Sequence, residues 1–90
     1  VNRIRNEQRS LYRLLKSINY LQPFPSSGNY ILAEVTRGDA HDIHRLLADR
    51  GIMIRKYSEP RLRNHIRVSV GRPEETNRLI TALQTIGARV

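Results

Sequence analysis

Gly51-Ile-Met-Ile-Arg-Lys-Tyr57 and His65-Ile-Arg-Val-Ser-Val-Gly71 are the two stretches around which the rest of the chain is organised. Both alternate with the period of a strand, so Ile52 and Ile54 oppose Met53 and Arg55, and Ile66, Val68 and Val70 oppose His65, Arg67 and Ser69. If the runs pair through a turn made of Ser58-Glu-Pro60 and Arg61-Leu-Arg-Asn64, Arg55 and Arg67 converge on the non-aliphatic face. Two guanidinium forks so placed suit an anionic oxygen group, a carboxylate or a phosphate.

Working outward, the segment before this pair reads as a short helix. Asp39 is its N-cap, Asp42 complements the dipole in the first turn, Ile43, Leu46 and Leu47 form the inner face, and Gly51 takes the left-handed place at the end. Tyr30-Ile-Leu-Ala-Glu-Val35 reads as a strand that Thr36-Arg-Gly38 breaks. From Asn2 to Leu21 the apolar residues Ile4, Leu11, Leu14, Leu15, Ile18 and Leu21 recur at helical steps, with Pro23 and Pro25 closing the helix and Ser26-Ser-Gly28-Asn29 forming a turn. After the pair, Pro73 at N1, with Glu74 and Glu75 in the first turn, opens a last helix whose stripe is Leu79, Ile80, Leu83 and Ile86 and which Gly87 ends. The predicted order is α-β-α-β-β-α. This is an α+β fold, a two-layer sandwich with a small, mainly antiparallel three-stranded sheet, helices on its aliphatic face and the arginine face left open.

Composition sets limits on what this domain does. Ninety residues make one domain with a small core. The net charge of +8 comes from 16 basic against 8 acidic residues, but the arginines are strewn along the chain, which reads as solvated surface rather than a polyanion-binding stripe. With no cysteine, disulfides and thiolate metal sites are excluded, and no run approaches the ~20 apolar residues of a membrane span. The chain begins at Val1 rather than Met and runs at once into helical pattern, so a start inside a longer protein is expected.

Other chemistry-bearing residues are sparse. His41 and His44, three apart on a helix, lack a third metal ligand nearby, so no metal site is assigned. His65 reads as a polar strand-edge residue that shares the arginine face. Lys16 and Lys56 have no catalytic setting, and no phosphate-cradling glycine loop or nucleophile triad is present. No residue is assigned a catalytic role.

Pro25-Ser-Ser-Gly-Asn-Tyr-Ile-Leu32, Leu46-Leu-Ala-Asp-Arg-Gly-Ile-Met-Ile-Arg55, Ile66-Arg-Val-Ser-Val-Gly71 and Pro73-Glu-Glu-Thr-Asn77, in that order, resemble the C-terminal small domain of fold-type I pyridoxal-phosphate aminotransferases, and among them the histidinol-phosphate aminotransferases most. The resemblance covers residues 1–90 as one small domain, with the large cofactor-binding domain absent. It implies that Arg67 binds the substrate carboxylate or phosphate, that Arg55 supports the phosphate end, and that Asn29, Gly51 and Gly71 are structural positions. It further implies amino transfer with 2-oxoglutarate in histidine biosynthesis, in the cytoplasm. Pyridoxal phosphate is held in the parent enzyme and not by these residues, since the Schiff-base lysine and its surroundings belong to the large domain; alone, the fragment would not be an enzyme.

The implied partners are that large domain and a phosphorylated or carboxylated amino substrate, with no nucleic acid and no membrane. The parent is expected to be a homodimer and the fragment a monomer. Two departures stand out: a turn about one residue shorter between Arg55 and Arg67, and Arg72 where a Ser or Thr cap is common, which predicts a helix start weaker by about 1 kcal/mol. An L-threonine-phosphate decarboxylase shares these motifs and stays open as an alternative. A basic nucleic-acid-binding module is the other rival, and it needs stacking aromatics on the open face, where only Tyr57 is expected by parity.

Overall fold

A computed structural model describes residues 2–26 and 28–90, with side chains from Arg5 onward. The side chains of Arg3 and Ile4, and the turn position Ser27, lie outside the described residues. The elements are α1 (Asn2–Lys16), β1 (Leu21–Pro23), β2 (Tyr30–Val35), α2 (Ala40–Ala48), β3 (Arg55–Lys56), β4 (His65–Ser69) and α3 (Pro73–Ile86), followed by a 3-10 turn at Gly87–Arg89. The fold is α+β with a small antiparallel sheet, as expected, but the sheet has four strands in the order β1-β2-β4-β3.

The additional strand comes from the end of the expected first helix. That helix stops at Lys16, where the Ser17 hydroxyl donates to the Leu14 carbonyl and the Ser17, Ile18 and Leu21 amides make tight i→i−3 bonds. Side-chain hydroxyls that compete for backbone partners favour such an ending. Ile18 and Leu21 are still buried, but Leu21 lies there as a strand residue, paired with Val35, while Pro23 pairs with Ala33. β1 is an edge strand, so the amide that Pro23 lacks is not needed by a further neighbour.

β2 and β4 form the centre, in a register that sets Ile31 against Val68, Leu32 against Arg67, Ala33 against Ile66 and Glu34 against His65. Ile31, Ala33, Val35, Ile66 and Val68 are buried beneath the helices, which contribute Leu11 and Leu15 from α1, Ile43, Leu46 and Leu47 from α2, and Leu79, Ile80, Leu83 and Ile86 from α3. The helical stripes read from the sequence therefore converge on one face of the sheet.

Strand β3 is shorter than the alternating run that contains it. Gly51 and Ile52 direct their amides back to Ala48 and Leu47 at 2.9 Å each, the paired bonds of a Schellman turn, and Gly51 has φ +77°. These bonds hold the start of the run to α2, and ladder pairing begins only at Arg55. Ile52 and Ile54 still pack against the core while Met53 stands 73% exposed, so the alternation survives without the strand. Gly51→Ala puts a Cβ into the left-handed region and is expected to cost about 1 kcal/mol in a denaturation midpoint.

At the last helix, Arg72 offers no side-chain cap, but Glu75 Oε1 accepts the Arg72 amide at 2.9 Å, so half of a capping box offsets the missing Ser or Thr. Gly87 does not terminate α3 in the left-handed form. Its φ is −55°, and a Cβ there would lie 3.3 Å from the Tyr20 ring.

Tyr20 is the residue that locks β1 to α3. It is buried, and its hydroxyl donates to the Leu83 carbonyl at 2.6 Å. Burial pushes the phenol from 10.0 up to about 12, against a smaller lowering by the nearby Arg37 guanidinium. The unfolded chain therefore releases this proton before the folded one does, and stability falls as pH rises from 10 to 12. Tyr20→Phe is expected to cost about 1–2 kcal/mol at neutral pH and to remove that alkaline loss, read from denaturation midpoints on either side of the window.

Candidate functional site: an arginine pair on the open sheet face

The face of the sheet away from the helices is built by strict alternation. On β4 it carries His65, Arg67 and Ser69, on β2 Tyr30, Leu32 and Glu34, on β1 Gln22, and on β3 Arg55. Arg55 and Arg67 are direct cross-strand partners, so their side chains leave the same face side by side. The sequence predicts that the two share a face and converge there; the register sets them opposite each other on that face. Arg67 is half-buried over Leu32, its partner on β2, whereas Arg55 is exposed at the sheet edge.

Two like charges directly opposite each other in a ladder repel. Among the described residues no carboxylate forms an ion pair with either arginine; the pair present is Arg45 with Asp42, on α2. Neither guanidinium has a hydrogen-bond acceptor among the described residues. Arg67 instead lies over the Tyr30 ring, with Cζ 5.0 Å from its centroid. Such an arrangement leaves guanidinium N–H donors without a described acceptor, a chemistry suited to an anionic oxygen group.

The aromatic component was not legible from the sequence alone. The sequence predicts a single ring, Tyr57, on this face, yet Tyr30 shares the parity of Leu32 and Glu34, and Phe24, just past β1, stacks on His65 with centroids 5.9 Å apart and planes 20° apart. Parity within Tyr30–Val35 contains the signal for Tyr30, but the neighbours of that strand were unknown. His65 has a buried Nδ1 with no partner among the described residues. Both rings are engaged by side chains of β4, so they do not form a bare stacking platform.

The remaining assigned positions act through the backbone. The Asn29 carbonyl accepts the Val70 amide at 2.8 Å, which extends the β2–β4 ladder beyond Ser69. Gly71 leaves room for the Glu75 carboxylate, since a Cβ would meet Glu75 Oε1 at 2.8 Å and disturb the bond that caps α3. Asn64, which the sequence marks only as a turn residue, fixes the approach to β4: its side chain donates to the Val35 carbonyl at 2.6 Å and accepts the Ala40 amide at 3.1 Å.

The histidines and lysines are placed elsewhere. His41 Nδ1 is met by Lys56 Nζ at 3.0 Å on the helix side of the sheet, and among the described residues no group of three metal-ligating side chains occurs. Lys16 lies over Tyr12 on α1. No described helix is long and apolar enough to cross a membrane.

The family model for aminotransferase class I and II matches residues 1–83. A histidinol-phosphate aminotransferase of Dehalococcoides mccartyi is 38% identical over 87 residues, 97% of this chain and 24% of that protein. The chloroplastic enzyme of the same name from Nicotiana tabacum is 44% identical over 79 residues, 87% of this chain and 19% of that protein.

Among solved structures, the histidinol-phosphate aminotransferase of Clostridium acetobutylicum superposes with a TM-score of 0.88 at 16% identity, over 97% of this chain and 27% of that one. The Sinorhizobium meliloti enzyme, solved in complex with pyridoxal-5'-phosphate, gives 0.80 at 26% identity, over 96% and 24%. L-threonine-O-3-phosphate decarboxylase of Porphyromonas gingivalis also gives 0.80, at 24% identity over 91% and 27%, a likeness of fold. The chain spans about a quarter or less of the length of the relatives it matches.

Proposed function

This chain belongs to the class I and II aminotransferase family, and from that premise we propose that it is the small domain of a histidinol-phosphate-type aminotransferase whose Arg67 and Arg55 hold the anionic end of the substrate. The observation that supports the clamp is the cross-strand pairing of two arginines, on an open face, neither of which forms an ion pair among the described residues. Arg67, half-buried and backed by a ring, takes the primary contact. Arg55, exposed at the edge, supports the far side of a phosphate. Holding the anion at one end fixes where the amino group lies and removes translational and rotational freedom before any bond changes.

The same clamp serves both halves of an amino transfer. A phosphorylated amino donor and a carboxylate-bearing acceptor such as 2-oxoglutarate each present oxygens that a guanidinium fork can take. Pyridoxal phosphate supplies the electron sink for such chemistry where it is bound. The side chains here do not fit it as a resident group: Lys16 lies on α1 over Tyr12 and Lys56 on the helix side against His41, so neither lysine reaches the arginine face. In this reading the cofactor and its lysine sit on the remainder of the parent chain. That remainder covers the open face, where Phe24 and Tyr30 stand 40% and 42% exposed.

The test is an assay of the parent enzyme with histidinol phosphate and 2-oxoglutarate. Formation of glutamate with the matching keto product, without carbon dioxide, is expected. Carbon dioxide released from a phosphorylated amino acid, with no glutamate formed, would instead assign the chain to the decarboxylases that share its fold.

A further inference from the structure

We propose that Tyr30 is a positioning residue for Arg67, its ring face holding the guanidinium in the orientation from which it meets the substrate anion. This rests on the anion-clamp reading and deepens it. Tyr30 opens β2 and has Ser69 as its Cα partner, so it is the diagonal neighbour of Arg67 on the open face, within reach of a long side chain. The contact is made: Arg67 Cζ lies 5.0 Å from the ring centroid.

Cross-strand repulsion from Arg55 pushes Arg67 away from the position where both forks share one anion. A carboxylate partner would hold Arg67 but would also occupy its donors and cancel its charge. An aromatic face attracts the cation through its quadrupole and leaves the in-plane N–H groups directed outward. Among the described residues Arg55 has no corresponding ring, and it is exposed, so the two arginines differ in how they are held. The Tyr30 hydroxyl takes no hydrogen bond within the described residues, which places the role on the ring. The ring stands 42% exposed on this domain, outside its helix-side core, so its replacement opens no cavity in that core.

The experiment compares wild-type parent enzyme with Tyr30→Phe, Tyr30→Leu, Arg67→Gln and the Tyr30→Leu/Arg67→Gln double variant. Inorganic phosphate is the probe, read as its competitive inhibition constant, together with KM, kcat and melting temperature. Tyr30→Leu is expected to weaken phosphate inhibition and raise KM for the phosphorylated donor about three- to fivefold, with a smaller change in kcat and an unchanged melting temperature. Tyr30→Phe, which keeps the ring, restores wild-type values, and Tyr30→Leu has no further effect once Arg67 is gone. Wild-type phosphate inhibition in Tyr30→Leu, or equal losses in Tyr30→Phe and Tyr30→Leu, would overturn the positioning role while an intact Arg67→Gln effect upholds the clamp. Unchanged phosphate inhibition in Arg67→Gln would remove the clamp and the positioning role together.

Discussion

Arg67→Gln in the parent enzyme is expected to lower kcat/KM for a phosphorylated amino donor on the order of 10²- to 10³-fold, because a bidentate, charge-assisted pair of hydrogen bonds is lost in a half-buried setting. Glutamine keeps much of the length and one donor group but neither the charge nor the fork. Arg55→Gln removes the same chemistry from the edge strand, at an arginine that supports only the far side of the phosphate, and should cost roughly tenfold. The ordering is as informative as the size. A larger effect at Arg55 than at Arg67 would mean that the edge arginine is the primary contact, contrary to the burial and ring contact that favour Arg67.

Ile66→Ala, one residue away along β4, should have the opposite profile: a large loss of stability that arises wholly from packing. Ile66 is fully buried, and its neighbour across β2 on the core face is Ala33, which is too short to fill the space vacated. Truncation of an isoleucine at a site that cannot collapse costs about 3–4 kcal/mol, a substantial part of the ~5–15 kcal/mol that holds a domain together. Chemical denaturation should show the midpoint falling with little change in slope. Arg67→Gln should leave that midpoint nearly unmoved, since it opens no cavity. Adjacent residues with opposite consequences are the direct result of the two-residue period of the strand.

The parts of the fold that periodicity governs were legible in the sequence. Tyr30–Val35 forms a strand with the expected bounds, Asp39 caps α2 by accepting the His41 amide at 2.7 Å, and Leu79, Ile80, Leu83 and Ile86 are buried as read. What escaped depended on partners distant in sequence. Leu21 fits a helical step from Ile18 and a strand step to Pro23 equally well, and only pairing with Val35 decides between them. The alternation from Gly51 to Tyr57 was real, but the amides of Gly51 and Ile52 were already committed to α2, so a strand of seven residues shrank to Arg55–Lys56.

The candidate site divides in the same way. The shared parity of Arg55 and Arg67 follows from two short stretches joined by one turn. Tyr30 and Phe24 reach the site only because β2 lies between β1 and β4, an order that no local pattern states. Asn64 joins Val35, Ala40 and the start of β4 through hydrogen bonds spanning 24 and 29 residues, and such a residue looks like any other turn asparagine until the chain is folded.

The most direct measurement of the anion clamp is kcat/KM of wild-type and Arg67→Gln parent enzyme on histidinol phosphate and on its dephosphorylated counterpart, histidinol. If Arg67 reads the phosphate, the substitution removes most of any preference for the phosphorylated donor: activity on histidinol phosphate falls steeply, while that on histidinol changes by no more than a few-fold. Equal losses on the two donors would show that Arg67 does not contact the phosphate, and would contradict the account.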